Sequence, residues 1–220
     1  MNGALQIFML RHGKPEFPGI GPYIYGHTDY PLSELGKNQA HKIGTALRGI
    51  KMDRVISSDL SRAAETARIV ADLQCGRVCV EYDPEIREIY MGEWEGLTKD
   101  EIKENYVDIF RERGLDLEKV AAPGGETFFH ASERGVRALK RIIEDSEECE
   151  RILIVAHGAV MWGMISALFD IRLGDIFRFG LDHCALHLVE YRKSPVQWGQ
   201  YRLVRYNWSP DLACYNADLV

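Results

Sequence analysis

The first apolar run, Leu5–Leu10 (LQIFML), has five apolar residues in six. It is too short for a confident helix and predicts a strand buried on both faces of a parallel sheet. It stops abruptly at Arg11-His12-Gly13. Further short runs predict strands at Asp53–Ile56, Val78–Tyr82, Ile152–Ala156, Ala185–Tyr191 and Tyr201–Tyr206, the last two close enough to pair as a hairpin. Stretches with helical spacing lie between them. Ser33 caps a helix expected to run to about Gly49, with a stripe of Leu35, Ala40, Ile43, Ala46 and Leu47. Others are expected over Leu60–Leu73, Thr98 to about Arg113, Thr127–Asp145 and Ala159–Phe169. Residues 14–32 are rich in Gly, Pro and aromatics and predict a long loop, with Tyr23, Tyr25 and Tyr30 favouring an ordered one. Strands alternating with helices predict an α/β fold with a mostly parallel sheet flanked by helices on both faces. No repeat or linker interrupts residues 1–220, so one domain is expected.

Composition changes little in this picture and excludes some functions. The 220 residues are 46% hydrophobic and 27% charged, enough for a real core. A net charge of −6 argues against a general nucleic-acid binder, yet permits a small cationic pocket. Five cysteines without CxxC spacing suggest reduced, mostly buried thiols and no zinc site. The 18 residues Ile152–Phe169 lack Asp, Glu, Lys and Arg, which approaches membrane-spanning length. His157-Gly158 interrupts them, and they read as a buried strand, a turn and a buried helix. No signal peptide is evident, and a cytoplasmic location without membrane association is expected.

The candidate chemistry sits at strand ends. The first strand ends in Arg11-His12-Gly13 and the fourth in Ala156-His157-Gly158, so parallel strands would bring both histidines to one sheet edge. Gly13 would let the backbone turn with no Cβ in the way of an incoming group. The second strand ends in Ser57-Ser58, followed by Arg62 in the first turn of a helix. The third leads to Arg87-Glu88, before the turn Gly92-Glu93-Trp94-Glu95-Gly96. Two arginines can grip a phosphoryl group by bidentate hydrogen bonds. A neutral imidazole can attack phosphorus, and a second imidazole, if protonated, adds a donor. A carboxyl group must protonate the leaving alkoxide and later activate water, a role open to Glu88, with Glu85, Glu93 and Glu95 nearby in sequence. Such a site requires no metal or cofactor.

The chain resembles the histidine phosphatase superfamily, also called phosphoglycerate-mutase-like. The matching elements are Leu10–Gly13, Gly26–Ser33, Gly36 with Gln39-Ala40, Ser57–Ala63, Thr66-Ala67, Glu88, Gly92–Gly96, Pro123–Thr127 and Val155–Gly158. The resemblance implies a mixed, mostly parallel sheet and a phosphohistidine intermediate. It makes His12 the nucleophile, Glu88 the proton donor and acceptor, and Arg11, Arg62 and His157 the phosphoryl-binding residues. Lys14, Tyr25, Gly26, Gly158 and Ala159 fall at substrate-binding positions. Trp94 and Pro123-Gly124-Gly125 read as structural, and His27, His41, His130, His183 and His187 as incidental.

Several positions depart from the pattern of many relatives. Lys14-Pro15-Glu16 replaces an acidic residue and a threonine followed by a phosphate-touching asparagine. Tyr25 stands where mutases often have threonine, and Ala159-Val160-Met161 follows His157-Gly158. The segment Leu97–Ala122 is shorter than the mutase insertion, and Arg111 and Arg113 are its only arginines. The expectation is a phosphomonoesterase acting on a small phosphorylated metabolite. Gly92–Gly96 and Arg11–Pro15 resemble the branch that includes α-ribazole phosphatases and broad sugar-phosphate phosphatases. A mutase, a phosphoprotein phosphatase or a non-catalytic phosphate-binding module are the alternatives. The aromatic hairpin and tail could form a homodimer surface.

Overall fold

The computed structural model of the protein describes residues 4–192 and 200–210. Strands β1 (Leu5–Arg11), β2 (Arg54–Ser57), β3 (Val80–Tyr82), β4 (Arg151–Ala156), β5 (Leu186–Tyr191) and β6 (Tyr201–Trp208) form one sheet ordered β3-β2-β4-β1-β5-β6. The first four in that order run parallel, β5 runs antiparallel to β1 and β6 antiparallel to β5, so the sheet is mixed as expected.

The central strands are apolar at nearly every position because each face has its own core. Ile7 and Met9 of β1, with Ile152, Ile154 and Ala156 of β4, belong to one hydrophobic cluster. Phe8 and Leu10, with Leu153 and Val155, belong to the other. Helices α1 (Glu34–Leu47) and α2 (Ser61–Asp72) cover the second face; α5 (Phe128–Glu144) and α6 (Gly158–Leu168) cover the first. No helix among the described residues is long and apolar enough to cross a membrane.

Three expectations need correction. The helix expected over Thr98–Arg113 is two helices, α3 (Lys99–Asn105) and α4 (Val107–Leu115), broken at Tyr106. Asn, Tyr and Val are weak helix formers, and Tyr106 instead packs on Trp94, with ring centroids 6.1 Å apart, and donates its hydroxyl to Glu93. In α1, Leu35 and Ala46 are exposed; the buried stripe is Gly36, Ala40, Ile43, Gly44 and Leu47. Glycines replace apolar side chains where neighbours come close: a Cβ on Gly44 would lie 2.8 Å from Leu73, and one on Gly36 2.1 Å from the Lys14 carbonyl. Cys75 and Cys79 are exposed and Cys149 half-buried, so of the described cysteines only Cys184 is buried. Cys214 and most of the tail from Trp208 to Val220 lie outside the described residues.

Residues 14–32 are ordered, and the reason is aromatic packing. Phe17 contacts Tyr23, Tyr25 and Tyr30 at centroid distances of 5.7, 5.1 and 5.5 Å. Backbone bonds Glu16 to Pro31, Ser33 to Lys14 and Ile24 to Leu97 fasten the loop across the carboxyl ends of the strands.

Candidate active site

The register of β1 on β4 pairs Arg11 with Ala156, so His12 and His157, one residue on, leave the sheet side by side. Their ring centroids are 4.9 Å apart and both side chains are buried. The crossover through β2 and β3 returns the chain between β2 and β1, and the crevice at the strands' carboxyl ends opens at that point.

His12 is a neutral imidazole. Burial, then the Arg62 and Arg11 guanidiniums, hold its pKa well below the ordinary value. Its Nδ1 lies 2.7 Å from the Gly13 carbonyl, an acceptor only, so Nδ1 carries the proton. Nε2 is therefore an unprotonated lone pair, and it is buried with no partner. Gly13 owes its lack of a side chain to helix packing: a Cβ there would lie 2.5 Å from the Gly36 carbonyl. That close approach, and not room for an incoming group, is what the position requires.

His157 is also held neutral by burial, then by Arg62, His12 and Arg11. Its Nε2 lies 2.8 Å from Ser58 Oγ, which accepts the Leu60 amide at 3.3 Å. The serine hydroxyl keeps its own hydrogen to give, and with that hydrogen on Nε2 the imidazole proton sits on the buried Nδ1, which has no partner. A neutral His157 in this tautomer presents a donor at Nδ1, so the protonation that the sequence reading set as a condition is not needed.

Arg62 is wholly buried. Its Nη1 and Nη2 donate to the carbonyls of Thr28 (3.0 Å) and Gly26 (2.6 Å), and Nε has no partner. Its closest carboxylate, Asp29, is 3.9 Å away, and burial lowers its pKa. Arg11 donates Nη1 to the Leu181 carbonyl at 2.5 Å and likewise leaves Nε unpartnered. Each arginine is therefore clamped by backbone carbonyls through terminal nitrogens, with Nε turned to other use. Two guanidiniums so poorly compensated form a site for an anion.

Of the four nearby carboxylates, Glu88 reaches this crevice. Its Oε1 accepts the amides of Ile89 (2.9 Å) and Ala159 (3.0 Å). Its Oε2 and Arg11 Nε lie 3.5 and 3.7 Å from where a Cβ on Gly158 would stand. Gly158 thus borders both carboxylate and arginine, and Ala159 holds the carboxylate through its amide. Glu85 lies 3.8 Å from Arg137, and Glu93 bonds Tyr106. Glu95 instead braces the site: it accepts the amides of Gly26, His27, Thr28 and Met91 and the Thr28 hydroxyl. Burial raises its pKa, but these donors outweigh that and hold it below the ordinary carboxyl value.

Four supporting groups were not expected from sequence. Asp29 caps α2 by accepting the Ser61 amide and hydroxyl, both at 2.8 Å. Arg134 donates to the carbonyls of Glu85, Arg87 and Glu88 and pairs with Glu126, fixing the segment that presents Glu88. His27 bonds the Glu88 carbonyl at 2.9 Å, so it is not incidental. Nor is His183, whose ring centroid is 5.4 Å from that of His12.

At the rim, Tyr25 lies under the Arg62 guanidinium, 5.0 Å from its centroid, and Lys14 is exposed. Gly26 bears on the site through its carbonyl on Arg62, and a Cβ there would fall 1.8 Å from the Ile89 carbonyl. Trp94 is a core residue, the Pro123 carbonyl accepts the Glu93 amide and the Gly125 amide donates to the Ala122 carbonyl, in agreement with a structural role.

The site is a buried, neutral imidazole between two arginines at the edge of a mixed sheet, and comparison with known proteins says which family carries it. The chain belongs to the histidine phosphatase superfamily (branch 1), whose model matches residues 7–208. It is 31% identical over 191 residues to "Probable phosphoglycerate mutase GpmB" of Yersinia pestis (strain Pestoides F), covering 87% of each chain. Its structure is similar to the alpha-ribazole phosphatase from Shigella flexneri, with a TM-score of 0.82, 26% identity, and coverage of 93% of this chain and 96% of that one. It is also similar to the mycobacterial glucosyl-3-phosphoglycerate phosphatase in complex with VO3, with a TM-score of 0.78, 25% identity, and coverage of 94% and 100%.

Proposed function

We propose that this protein is a phosphomonoesterase that hydrolyses a small phosphorylated metabolite through a phosphohistidine on His12. The observation that carries the reading is the state of His12: Nδ1 bonded to the Gly13 carbonyl, Nε2 buried, unprotonated and unpartnered beside two under-compensated arginines.

In the first step Nε2 forms a bond to phosphorus as the ester P–O bond breaks. Glu88, entering as the acid, gives its proton to the departing oxygen. The positive charge left on the phosphorylated imidazole is shared by Nδ1–H with the Gly13 carbonyl. In the second step the Glu88 carboxylate takes a proton from water as its oxygen bonds to phosphorus and the P–N bond breaks. Inorganic phosphate leaves, and His12 is again neutral. Arg11, Arg62 and His157 Nδ1–H hold the phosphoryl oxygens throughout, where charge develops in a water-poor crevice.

Lys14 and Tyr25 stand where the alcohol part of the substrate would leave the pocket, and Tyr25 joins the aromatic cluster of Phe17, Tyr23 and Tyr30. That rim suits an alcohol bearing a ring, in keeping with the names of the two structural relatives. A mutase is the second reading, favoured by the name of the 31% identical relative. Against it, Arg113 of the short segment lies over Trp94, 5.7 Å from the ring, and Arg111 is exposed. Phosphate release from p-nitrophenyl phosphate in EDTA, compared with His12→Ala, tests the proposal. Turnover lost in the variant is expected; equal turnover would overturn it. Conversion of 3- to 2-phosphoglycerate would favour the mutase.

A further inference from the structure

Among the described residues, eleven buried side-chain nitrogen or oxygen atoms have no hydrogen-bond partner. Buried orphans of this kind are uncommon and call for an explanation at each site. Five of the eleven fall on one group of neighbours: Arg11 Nε, His12 Nε2, Arg62 Nε, His157 Nδ1 and His183 Nε2. A phosphoryl group in the crevice accounts for the first four: the His12 Nε2 lone pair faces phosphorus and the other three donate to its oxygens. His183 bears the same mark and has no role in the mechanism above.

Its position is well fixed. The segment before β5 is strapped to the end of β1: Leu181 accepts Arg11 Nη1, and the Cys184 amide donates to the Arg11 and His12 carbonyls at 3.1 and 3.3 Å. Asp182 is held by Asn207 through two bonds of 2.8 Å. Cys184 adopts φ +54°, a conformation that L residues hold only where the surroundings enforce it. The His183 ring thus flanks His12 on the side opposite β4, as His157 flanks it on the other. The three imidazoles are not a metal site, since no described group of three such side chains is arranged to hold an ion.

We propose that His183 is a fifth phosphoryl-binding residue, its Nε2–H donating to an oxygen of the group held by Arg11, Arg62 and His157. The inference rests on the phosphoryl-pocket reading above and extends it. Burial, then Arg11, Lys14 and Arg62, hold the His183 pKa at about 3, so the free ring is neutral and carries one N–H. A phosphoryl dianion offers acceptors only, so an imidazole touching it must be a donor.

Two variants and one direct observation test this. His183→Phe keeps a flat ring against His12 but removes the donor; His183→Gln restores an N–H at similar reach. His183→Phe is expected to weaken inorganic phosphate binding about tenfold and lower kcat/KM for p-nitrophenyl phosphate at least tenfold, with the melting midpoint unchanged. His183→Gln should recover most of both. Phosphate binding by His183→Phe equal to that of the parent, or equal losses in both variants, would overturn the inference. In the parent protein, ¹⁵N NMR of the His183 ring should show Nε2 gaining a hydrogen-bonded proton as inorganic phosphate is added; an unmoved resonance would overturn it whatever the variants do. A parent that binds phosphate with that shift yet hydrolyses no ester would remove the phosphatase reading and uphold this one. Intact turnover in His183→Phe would remove this one alone.

Discussion

Glu95 supplies the sharpest test of how the site is built. Its Oε1 accepts the amides of His27 and Met91 at 2.8 and 3.0 Å, and its Oε2 accepts Gly26, Thr28 and the Thr28 hydroxyl at 3.0, 2.8 and 2.5 Å. Glu95→Gln changes one oxygen to an N–H₂, which must face donors whichever way it turns. At least two half-buried amides lose their acceptor. At about 1–2 kcal/mol each, the expected loss is about 2–4 kcal/mol. For a chain of this size that is a melting midpoint lowered by roughly 6–12 °C. The same loop offers the Gly26 and Thr28 carbonyls to Arg62, so loosening it frees a guanidinium that must stay aimed. Thermal unfolding and steady-state hydrolysis of p-nitrophenyl phosphate would be followed together, with Glu93→Gln as control, since that carboxylate meets only an exposed tyrosine hydroxyl among its described bonds. We expect Glu95→Gln to lose at least tenfold in kcat/KM and the control to change little. A Glu95→Gln protein that melts within a degree of the parent and keeps its kcat/KM would refute the bracing role.

Other outcomes follow from the same geometry. His12, His157, His183 (about 3) and His187 (about 4) all titrate below the ordinary histidine value, chiefly through burial. The unfolded chain therefore takes up protons that the folded one refuses, so stability is full above about pH 6.5 and falls as pH drops below it. Four such groups together remove about 5 kcal/mol between pH 7 and 5.5, which urea unfolding at the two pH values would detect; equal stabilities would contradict the burial described. Gly26→Ala forces a Cβ to within 1.8 Å of the Ile89 carbonyl, so the variant should fold poorly or lose Arg62's anchorage, read as loss of phosphate binding. Arg134→Met removes the clamp on the Glu85, Arg87 and Glu88 carbonyls. It should lower kcat several-fold while leaving inorganic phosphate affinity nearly intact, and unchanged kcat would sink that role.

The parts of the site visible in the sequence are those carried by local pattern. Apolar runs on both faces mark β1 and β4 as central parallel strands, and such strands deliver Arg11-His12 and His157 to one edge without any knowledge of the loops. What pattern could not show depends on long-range contacts. Tyr106 keeps helical spacing with Ile102 and Phe110, and its distant contacts with Trp94 and Glu93 accompany the break between α3 and α4. The choice among Glu85, Glu88, Glu93 and Glu95 is made by Ala159, Arg137, Tyr106 and the 26–28 loop, none of them local. His183 joins the site through a bond between residues 170 positions apart. One signal could have found it. An antiparallel neighbour of β1 places its amino end beside the carboxyl end of β1, so a histidine just before β5 belongs at the same edge as His12.

The central claim is that phosphorus passes through His12 Nε2. A reaction with p-nitrophenyl phosphate quenched in alkali, where a phosphoramidate survives, and digested for mass spectrometry would show it. The account predicts one phosphoryl group on His12 and neither label nor turnover in His12→Ala. Release of p-nitrophenol at an undiminished rate with His12 unlabelled or replaced would contradict it.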